Sequence, residues 1–245
     1  MTTNPARPDG GRGFLGSISE HRGRAVAGLA HPGITPLWLV RHAPVAHGGR
    51  IYGQADLSCD CSETSLFTGL AEKLPRAALW VTSHLRRTHE TALAIIRAGL
   101  PGPQPIPGPD AIEMADLAEQ DFGEWQGLTY EELQESRAGD FHRFWHAPAH
   151  EPAPGGESFV AVIERVSRAI HHLVEAHPGR DIIIVAHGGT IRSALALALA
   201  LALGLDPEAS LAFTIENCSI TRIDRIDGPG MGHGWRVVTV NRPPR

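Results

Sequence analysis

Three short apolar runs, separated by segments with helical periodicity, constrain the fold of this 245-residue chain more than any other feature. The runs occupy residues 37–40, 77–81 and 181–186, and each ends beside polar or charged residues. Continuous apolar runs of this length are typical of buried parallel strands. Residues 87–98 and 158–176 carry apolar side chains at helical spacing instead. Because strands alternate with helices, the sequence predicts a three-layer α/β fold with a mostly parallel central sheet and helices on both faces.

The last third of the chain adds a buried helix and an antiparallel edge to this prediction. Residues 193–205 consist mainly of Ala and Leu. As a helix this run covers about 20 Å, whereas a membrane core needs about 30 Å, so we interpret it as a core helix and expect no membrane partner. Residues 219–223 and 235–240 alternate apolar and polar side chains. That period indicates a closing antiparallel hairpin at the sheet edge near the C-terminus.

The amino-terminal segment differs in composition from the rest of the chain. Residues 1–33 are rich in Gly, Arg and Pro and lack a sustained apolar period. This composition predicts a disordered N-terminal extension, followed by one domain at residues 34–245. A transit peptide is the alternative interpretation of its arginines, and the lack of a continuous apolar core argues against a secretory signal.

Cysteine, charge and histidine content narrow the classes of function. Three cysteines are too few for a disulfide framework and favour a reducing, cytoplasmic compartment. Cys59 and Cys61 are separated by one residue instead of the two that are usual in redox pairs, so we interpret both as plain thiols. The formal net charge of −5 argues against a nucleic-acid partner. Fourteen histidines raise the question of metal binding, but His142 and His146 lack a third ligand at a suitable spacing.

Polar residues follow the predicted strands at the edge where an α/β protein places its active site. Arg41-His42 follows the first run, Arg87 comes shortly after the second, and His187 follows the third. Gly188 then begins a helix, whose free backbone N–H groups and positive dipole end face the same crevice. Guanidinium groups match phosphate oxygens in pairs. A phosphate group is therefore the expected ligand, although sulfate or a carboxylate satisfies the same geometry.

Five motifs in the chain resemble those of the histidine phosphatase superfamily, also described as phosphoglycerate-mutase-like. They follow in the order of the family, between about residue 37 and residue 192. The motifs are Leu39-Val40-Arg41-His42, Ser83-x-Leu85-x-Arg87-x-x-x-Thr91-Ala92, Leu117-Ala118-Glu119-x-x-x-Gly123-x-Trp125-Gln126-Gly127, Gly155-Gly156-Glu157-Ser158 and His187-Gly188-Gly189-x-Ile191-Arg192. Arg192 is interpreted as a structural or solvent-reaching residue of the helix after the site.

The resemblance implies a phosphatase that needs no cofactor and no metal. His42 would attack phosphorus and form a phosphohistidine. Arg41, Arg87 and His187 would bind the phosphoryl oxygens, together with Gly188, and stabilise the charge that spreads over them. The family's spacing favours Arg87 over Arg86 as the phosphate ligand. The same spacing makes Glu119 the proton donor to the leaving oxygen, ahead of its acidic neighbours Glu113, Asp116, Asp121 and Glu124.

A second, shorter resemblance narrows the class of substrate. Residues 48–57, including Tyr52-Gly53-Gln54-Ala55-Asp56, are similar to a segment of bacterial α-ribazole-phosphate phosphatases, which act in cobalamin assembly. It implies α-ribazole 5′-phosphate as a substrate, with Tyr52 and Gln54 as binding residues. Residues 140–154 are predicted to cover the mouth of the site.

Three alternatives remain open at this stage. Two of them are other enzymes, a broad-specificity sugar or nucleotide phosphatase and a phosphoglycerate-type mutase. Ala43-Pro44-Val45 stands where the family usually has Gly-Glu-Thr, and no Asn follows to hold a mutase substrate, which favours hydrolysis. A catalytically inactive module that binds phospho-ligands is the non-enzymatic alternative. The oligomeric state is not predicted.

Overall fold

A six-stranded mixed sheet forms the centre of the protein, whose computed structural model describes residues 33–136, 139, 148–228 and 234–245. In space the strands follow the order β3-β2-β4-β1-β5-β6. The first four of these strands are mutually parallel, whereas β5 pairs antiparallel with both β1 and β6. This arrangement confirms the mostly parallel sheet and its closing antiparallel edge. The strands are β1 (Ile34–Arg41), β2 (Leu79–Thr82), β3 (Ile112–Glu113), β4 (Ile182–Ala186), β5 (Ile220–Ile226) and β6 (Trp235–Arg242).

The described residues form five helices. They are α1 (Thr64–Lys73), α2 (Arg86–Arg97), α3 (Tyr130–Ser136), α4 (Phe159–Ala176) and α5 (Gly188–Leu203). Short 3₁₀ turns at Ala115–Leu117, Gly123–Trp125 and Pro207–Ala212 connect them. The predicted helices at 87–98 and 158–176 therefore form within one residue of the expected positions.

Alternate residues of the central strands pack into two separate hydrophobic clusters. On β4, Ile182 and Ile184 join one cluster with α4 and α5, whereas Ile183 and Val185 join the other with α1 and α2. Because successive side chains of a strand point to opposite faces, each face of the sheet is covered by its own pair of helices. The structure thus confirms the three-layer prediction.

The Ala- and Leu-rich run forms a core helix, as expected, but only along part of its length. Helix α5 is buried on nearly every side as far as Leu199, whereas Leu201 and Leu203 are 56% and 63% exposed. The helix ends at Gly204, which adopts the left-handed conformation with φ of 64°. In the part of the chain that the structure describes, no helix is both long and apolar enough to span a membrane.

Several predictions concern residues outside the described ranges. These are the N-terminal extension up to residue 32, the pair His142 and His146, and residues 140–147 of the segment expected to cover the site. The division into an extension and a domain at 34–245 stays a prediction.

Candidate active site

Two neighbouring strands bring their terminal histidines together at the carboxyl edge of the sheet. Strands β1 and β4 pair in parallel with Arg41 opposite Ala186, so His42 and His187 leave the sheet side by side. The His42 backbone N–H donates to the Ala186 carbonyl at 3.0 Å. The two imidazole rings lie with centroids 5.2 Å apart, and both side chains are fully buried. The predicted convergence of these strand ends is therefore present.

His42 presents one nitrogen that lacks a hydrogen-bond partner. Its Nδ1 lies 2.7 Å from the Ala43 carbonyl oxygen, which can only accept, so Nδ1 carries the proton and Nε2 has a free lone pair. No described residue lies within hydrogen-bond reach of His42 Nε2, although that atom is buried. Burial lowers the pKa of His42 to about 3, and the positive charges of Arg87 and Arg41 act in the same direction. The imidazole is therefore neutral at physiological pH.

His187 is oriented by two neighbours. Its Nε2 donates to Ser83 Oγ at 2.8 Å, and its Nδ1 accepts from Arg87 Nε at 3.3 Å. Burial holds the pKa of His187 well below its usual value, and the nearby cations, including Arg87 and Arg41, add to this effect. Ser83 follows strand β2, so three strand ends contribute to the position of these two histidines.

Arg87, and not Arg86, reaches this site. The Arg87 side chain is fully buried, and its guanidinium donates to the Ala55 and Gly53 carbonyls at 2.7 and 2.6 Å. The same group lies 5.1 Å from the centre of the Tyr52 ring, and the substrate-binding role of Tyr52 stays a prediction. Arg86 instead pairs with Glu90 at 3.2 Å on the protein surface. Arg87 therefore lies beside His187 and Arg86 does not, while the role of Arg87 as phosphate ligand stays a prediction.

Arg41 provides a second unpartnered polar atom. Its Nη1 donates to the Ile215 carbonyl at 2.5 Å, while its Nε is buried without a hydrogen-bond partner among the described residues. A Cβ placed on Gly188 would lie 3.7 Å from Arg41 Nε and 3.7 Å from Arg192 Nη1. Gly188 therefore lies between two guanidinium groups, and its missing side chain leaves room for a small ligand.

Glu119 occupies the amino end of helix α5. Its Oε1 accepts from the backbone N–H groups of Gly189 and Gln120, each at 3.0 Å. Free N–H groups and the positive end of the helix dipole stabilise a carboxylate at such a position. The second oxygen, Oε2, would lie 3.8 Å from a Cβ on Gly188, so it faces the same small space as Arg41.

The other acidic candidates lie outside this cluster of residues. Glu113 is exposed and pairs with His89 at 3.0 Å, and Asp121 accepts from the Gly123 N–H at 2.8 Å. Asp116 and Glu124 are exposed at the surface. Of the five carboxylates considered from sequence, Glu119 is the one that contacts the start of helix α5.

The loop that carries Glu119 is held by Arg165 of helix α4. This guanidinium donates to the Glu119 carbonyl at 3.0 Å and to the Ala118 carbonyl at 2.9 Å, and it pairs with Glu157 at 2.7 Å. Gln54 Nε2 donates to the same Glu119 carbonyl at 2.9 Å. The Gln54 amide therefore binds the loop that carries Glu119. The role of Gln54 in substrate binding stays a prediction.

From sequence, no role was assigned to several residues that support the site. Asn217 Nδ2 donates to the His42 carbonyl at 2.8 Å, and Ser83 holds His187 as described above. Arg192 was expected to be structural, and its Nε does donate to the Phe213 carbonyl at 2.8 Å. Its Nη1, however, reaches the space beside Gly188. The helical spacing of Arg192, four residues after Gly188, was an available signal for its proximity.

The described ranges contain no group of three or more His, Cys, Asp or Glu side chains that could hold a metal ion. Arg41 and Arg87 lie close enough to the buried, neutral His42 to act on its pKa, and His42 keeps an available lone pair. Arg192 adds a third guanidinium beside Gly188. Such an arrangement can bind an anion and attack an electrophilic atom within it.

Comparison with curated proteins identifies relatives of this site and fold. A metal-independent phosphoserine phosphatase from Arabidopsis thaliana is 32% identical over 168 residues, which cover 65% of this chain and 67% of that protein. A bifunctional protein from Mycobacterium tuberculosis is 35% identical over 115 residues, but the chain spans only 29% of its length. A probable phosphoglycerate mutase GpmB from Cronobacter sakazakii is 29% identical over 207 residues, covering 83% of this chain and 91% of the relative.

Solved structures show the same architecture. A mycobacterial glucosyl-3-phosphoglycerate phosphatase superposes with a TM-score of 0.65 at 26% identity, covering 84% of this chain and 98% of the other. An α-ribazole phosphatase from Shigella flexneri superposes with a TM-score of 0.66 at 23% identity, covering 84% and 96%. The profile of the histidine phosphatase superfamily (branch 1) matches residues 37–242. The chain therefore belongs to branch 1 of the histidine phosphatase superfamily.

Proposed function

We propose that the chain is a phosphomonoester hydrolase that acts through a phosphohistidine on His42. The observation that carries this proposal is the pair of buried, unpartnered atoms at the site, His42 Nε2 and Arg41 Nε. Buried polar groups are nearly always hydrogen-bonded, so two such atoms in one site support a ligand that contacts them. One atom is a nucleophile and the other a charged donor, which is the combination that a phosphoryl group requires.

The first step transfers the phosphoryl group to His42. Nε2 forms a bond to phosphorus while the ester P–O bond breaks in line with it. Arg41 and Arg87 carry permanent positive charge beside the equatorial oxygens, and the buried site makes that charge more effective than it would be in water. His187 Nδ1 accepts from Arg87 Nε and so orients that guanidinium beside the same oxygens. Glu119 gives its proton to the leaving oxygen.

The second step releases phosphate. Glu119 removes a proton from a water molecule, whose oxygen forms a bond to phosphorus while the bond between phosphorus and His42 Nε2 breaks. The Ala43 carbonyl keeps the proton on Nδ1, so His42 returns to the tautomer with which the cycle began. The arginine charges serve both steps, and for this reason we propose that hydrolysis requires no cofactor.

For the substrate we propose α-ribazole 5′-phosphate first, in a cytoplasmic setting. The support is the segment from Tyr52 to Asp56, since Tyr52 lies beside Arg87 and carbonyls of this segment hold that guanidinium. Phosphoserine is the second candidate, because the relative from Arabidopsis thaliana with that activity is 32% identical. Turnover of a panel that contains both compounds, phosphoglycerates, sugar phosphates and nucleotides discriminates among them.

A phosphoglycerate-type mutase is the alternative activity, favoured by the 29% identity to a probable phosphoglycerate mutase. A mutase produces isomerised phosphoglycerate without free phosphate, whereas a phosphatase releases phosphate from every substrate that it accepts. Tight phosphate binding without any turnover would instead indicate a binding module.

The nucleophile is tested by quenching turnover of a phosphoryl-labelled aryl phosphate in alkali, in which a phosphohistidine is stable. We expect the label on His42 in the wild type and no label in His42→Ala, which should also lose hydrolysis. Arg87→Ala and Arg86→Ala form a matched pair, because only the first residue reaches the site. Full hydrolysis by His42→Ala, or label on another residue, would overturn the proposed mechanism.

A further inference from the structure

Two thiols lie in contact beside the phosphate site, in a loop between strand β1 and helix α1. Cys59 Sγ is 3.6 Å from Cys61 Sγ, and both side chains are partly exposed. The third cysteine, Cys218, is fully buried. The proximity of two reachable sulfur atoms is unexpected from the spacing in sequence, which suggested unrelated thiols.

The length of chain between the two cysteines is compatible with a bond between their sulfur atoms. Two residues of chain span at most about 7 Å, and disulfides usually join Cα atoms about 4.4–6.8 Å apart. The loop is neither helix nor strand, so closing it breaks no regular hydrogen-bond ladder. The sulfur atoms must approach from 3.6 Å to about 2.0 Å for a bond to form.

The environment also favours reaction at one of the two sulfur atoms. The hydrogen bond with Cys59 lowers the pKa of Cys61, and the same contact raises the pKa of Cys59. A thiolate, and not a thiol, is the nucleophile in sulfur chemistry. Cys61 is therefore the expected attacking group and Cys59 the resolving one.

The pair is connected to the phosphate site by hydrogen bonds. Cys59 Sγ lies 3.3 Å from the Arg87 carbonyl and 3.5 Å from Thr91 Oγ1. Thr91 Oγ1 accepts from the Ala43 N–H at 2.9 Å, and the Ala43 carbonyl is the partner of His42 Nδ1. A change at Cys59 therefore acts on residues that directly position Arg87 and His42.

We propose that Cys59 and Cys61 form a reversible dithiol–disulfide site that reacts with hydroperoxides and weakens phosphate binding when oxidised. The Cys61 thiolate attacks the hydroperoxide, so that an S–O bond forms, the O–O bond breaks and an alcohol or water leaves. Cys59 then attacks the Cys61 sulfur; the S–S bond forms, the S–O bond breaks, and the Cys59 proton leaves with hydroxide as water. Two thiols are oxidised by two electrons, and one hydroperoxide is reduced.

Oxidation would remove the Cys59 proton that the Arg87 carbonyl accepts. Loss of one such hydrogen bond corresponds to about threefold to tenfold in an equilibrium constant. We therefore expect inorganic phosphate to bind about threefold to tenfold more weakly to the oxidised protein, and dithiothreitol to restore its affinity.

Mass spectrometry and phosphate titration of the full-length protein test the proposal, without reliance on catalytic turnover. After treatment with hydrogen peroxide, we expect the wild type and Cys218→Ala to lose two hydrogens and yield a peptide cross-linked between Cys59 and Cys61. Cys59→Ser and Cys61→Ser should form no such cross-link, and peroxide should leave their phosphate affinity unchanged.

Other results would overturn the assignment. A sulfinic acid at Cys61 of the wild type, or a cross-link that includes Cys218, would show that the two thiols do not act as a pair. A complete Cys59–Cys61 disulfide with unchanged phosphate affinity would overturn the connection to the phosphate site. Both measurements would still test this proposal if the protein failed to hydrolyse esters, because neither of them uses an ester substrate.

Discussion

Replacing Gly189 with Ala tests whether the position of the Glu119 carboxylate controls turnover. The Gly189 N–H donates to Glu119 Oε1 at 3.0 Å, and a Cβ on Gly189 would lie only 2.3 Å from that oxygen. Because real Cβ contacts essentially never fall below 3.0 Å, the carboxylate must move by about 1 Å to relieve the overlap. A misplacement of about 1 Å in an active site costs about 100-fold in rate.

We therefore expect kcat of Gly189→Ala for an aryl phosphate to fall about 100-fold, with little change in KM. The fold itself should tolerate the substitution, because the overlapping atom ends a flexible side chain and Ala favours a helix over Gly by about 1 kcal/mol. Steady-state kinetics and urea unfolding, measured on the same preparation, separate a displaced carboxylate from a destabilised protein.

Gly188→Ala provides the matched control. A Cβ on Gly188 would contact Arg41 Nε and Arg192 Nη1 at 3.7 Å, and Glu119 Oε2 at 3.8 Å, which are ordinary distances. Glu119 need not move, but a methyl group would occupy the space beside the arginines, so KM should rise more than kcat falls. Glu119→Gln gives the rate without a proton donor. Wild-type kcat in Gly189→Ala would refute the reasoning that places Glu119 in the reaction.

Further predictions concern stability and positioning. Burial lowers the pKa of His42 to about 3, so between pH 6.5 and 3 the unfolded chain binds a proton that the folded chain does not. This group should reduce the free energy of unfolding by about 2 kcal/mol between pH 7.5 and pH 5, and urea titrations of His42→Gln should lack that part of the pH dependence. Arg165→Met should lower kcat with little change in KM, because Arg165 holds the Glu119 loop, whereas the exposed Arg168→Met should not; equal kinetic constants in the two variants would contradict this role. Ser158 Oγ accepts from the Ala161 N–H at the start of helix α4, so Ser158→Ala should lower the free energy of unfolding by about 1 kcal/mol in urea denaturation without a change in kcat.

Local sequence patterns were sufficient to predict the layers of the fold. Short apolar runs and helical periodicity depend on which side chains are buried, and the burial on both faces of strand β4 reproduces that pattern. The end of helix α5 shows the limit of such reasoning. Leu201 and Leu203 continue the apolar run, yet they are exposed, because the sequence does not state where neighbouring elements stop covering a helix.

The positions of His42 and His187 followed from the sequence because the carboxyl ends of neighbouring parallel strands meet at one edge of a sheet. Choosing Arg87 and Glu119 over their neighbours required the spacing of the family's motifs as well. In the structure Arg87 is buried against His187 and Glu119 lies at the start of helix α5, and their catalytic roles stay predictions.

The orientation of each group was decided only in the tertiary structure. The Ala43 carbonyl selects the tautomer of His42, Asn217 holds the His42 backbone, and Arg165 holds the loop of Glu119. Asn217 and His42 are 175 residues apart in the chain, and Arg165 and Glu119 are 46 apart. Periodicity and short motifs report on neighbours within a few residues, whereas hydrogen bonds between distant segments exist only once the elements have packed. The sequence alone thus determined which residues gather at the edge of the sheet, and the packing of distant segments determined which of their atoms remain free to react.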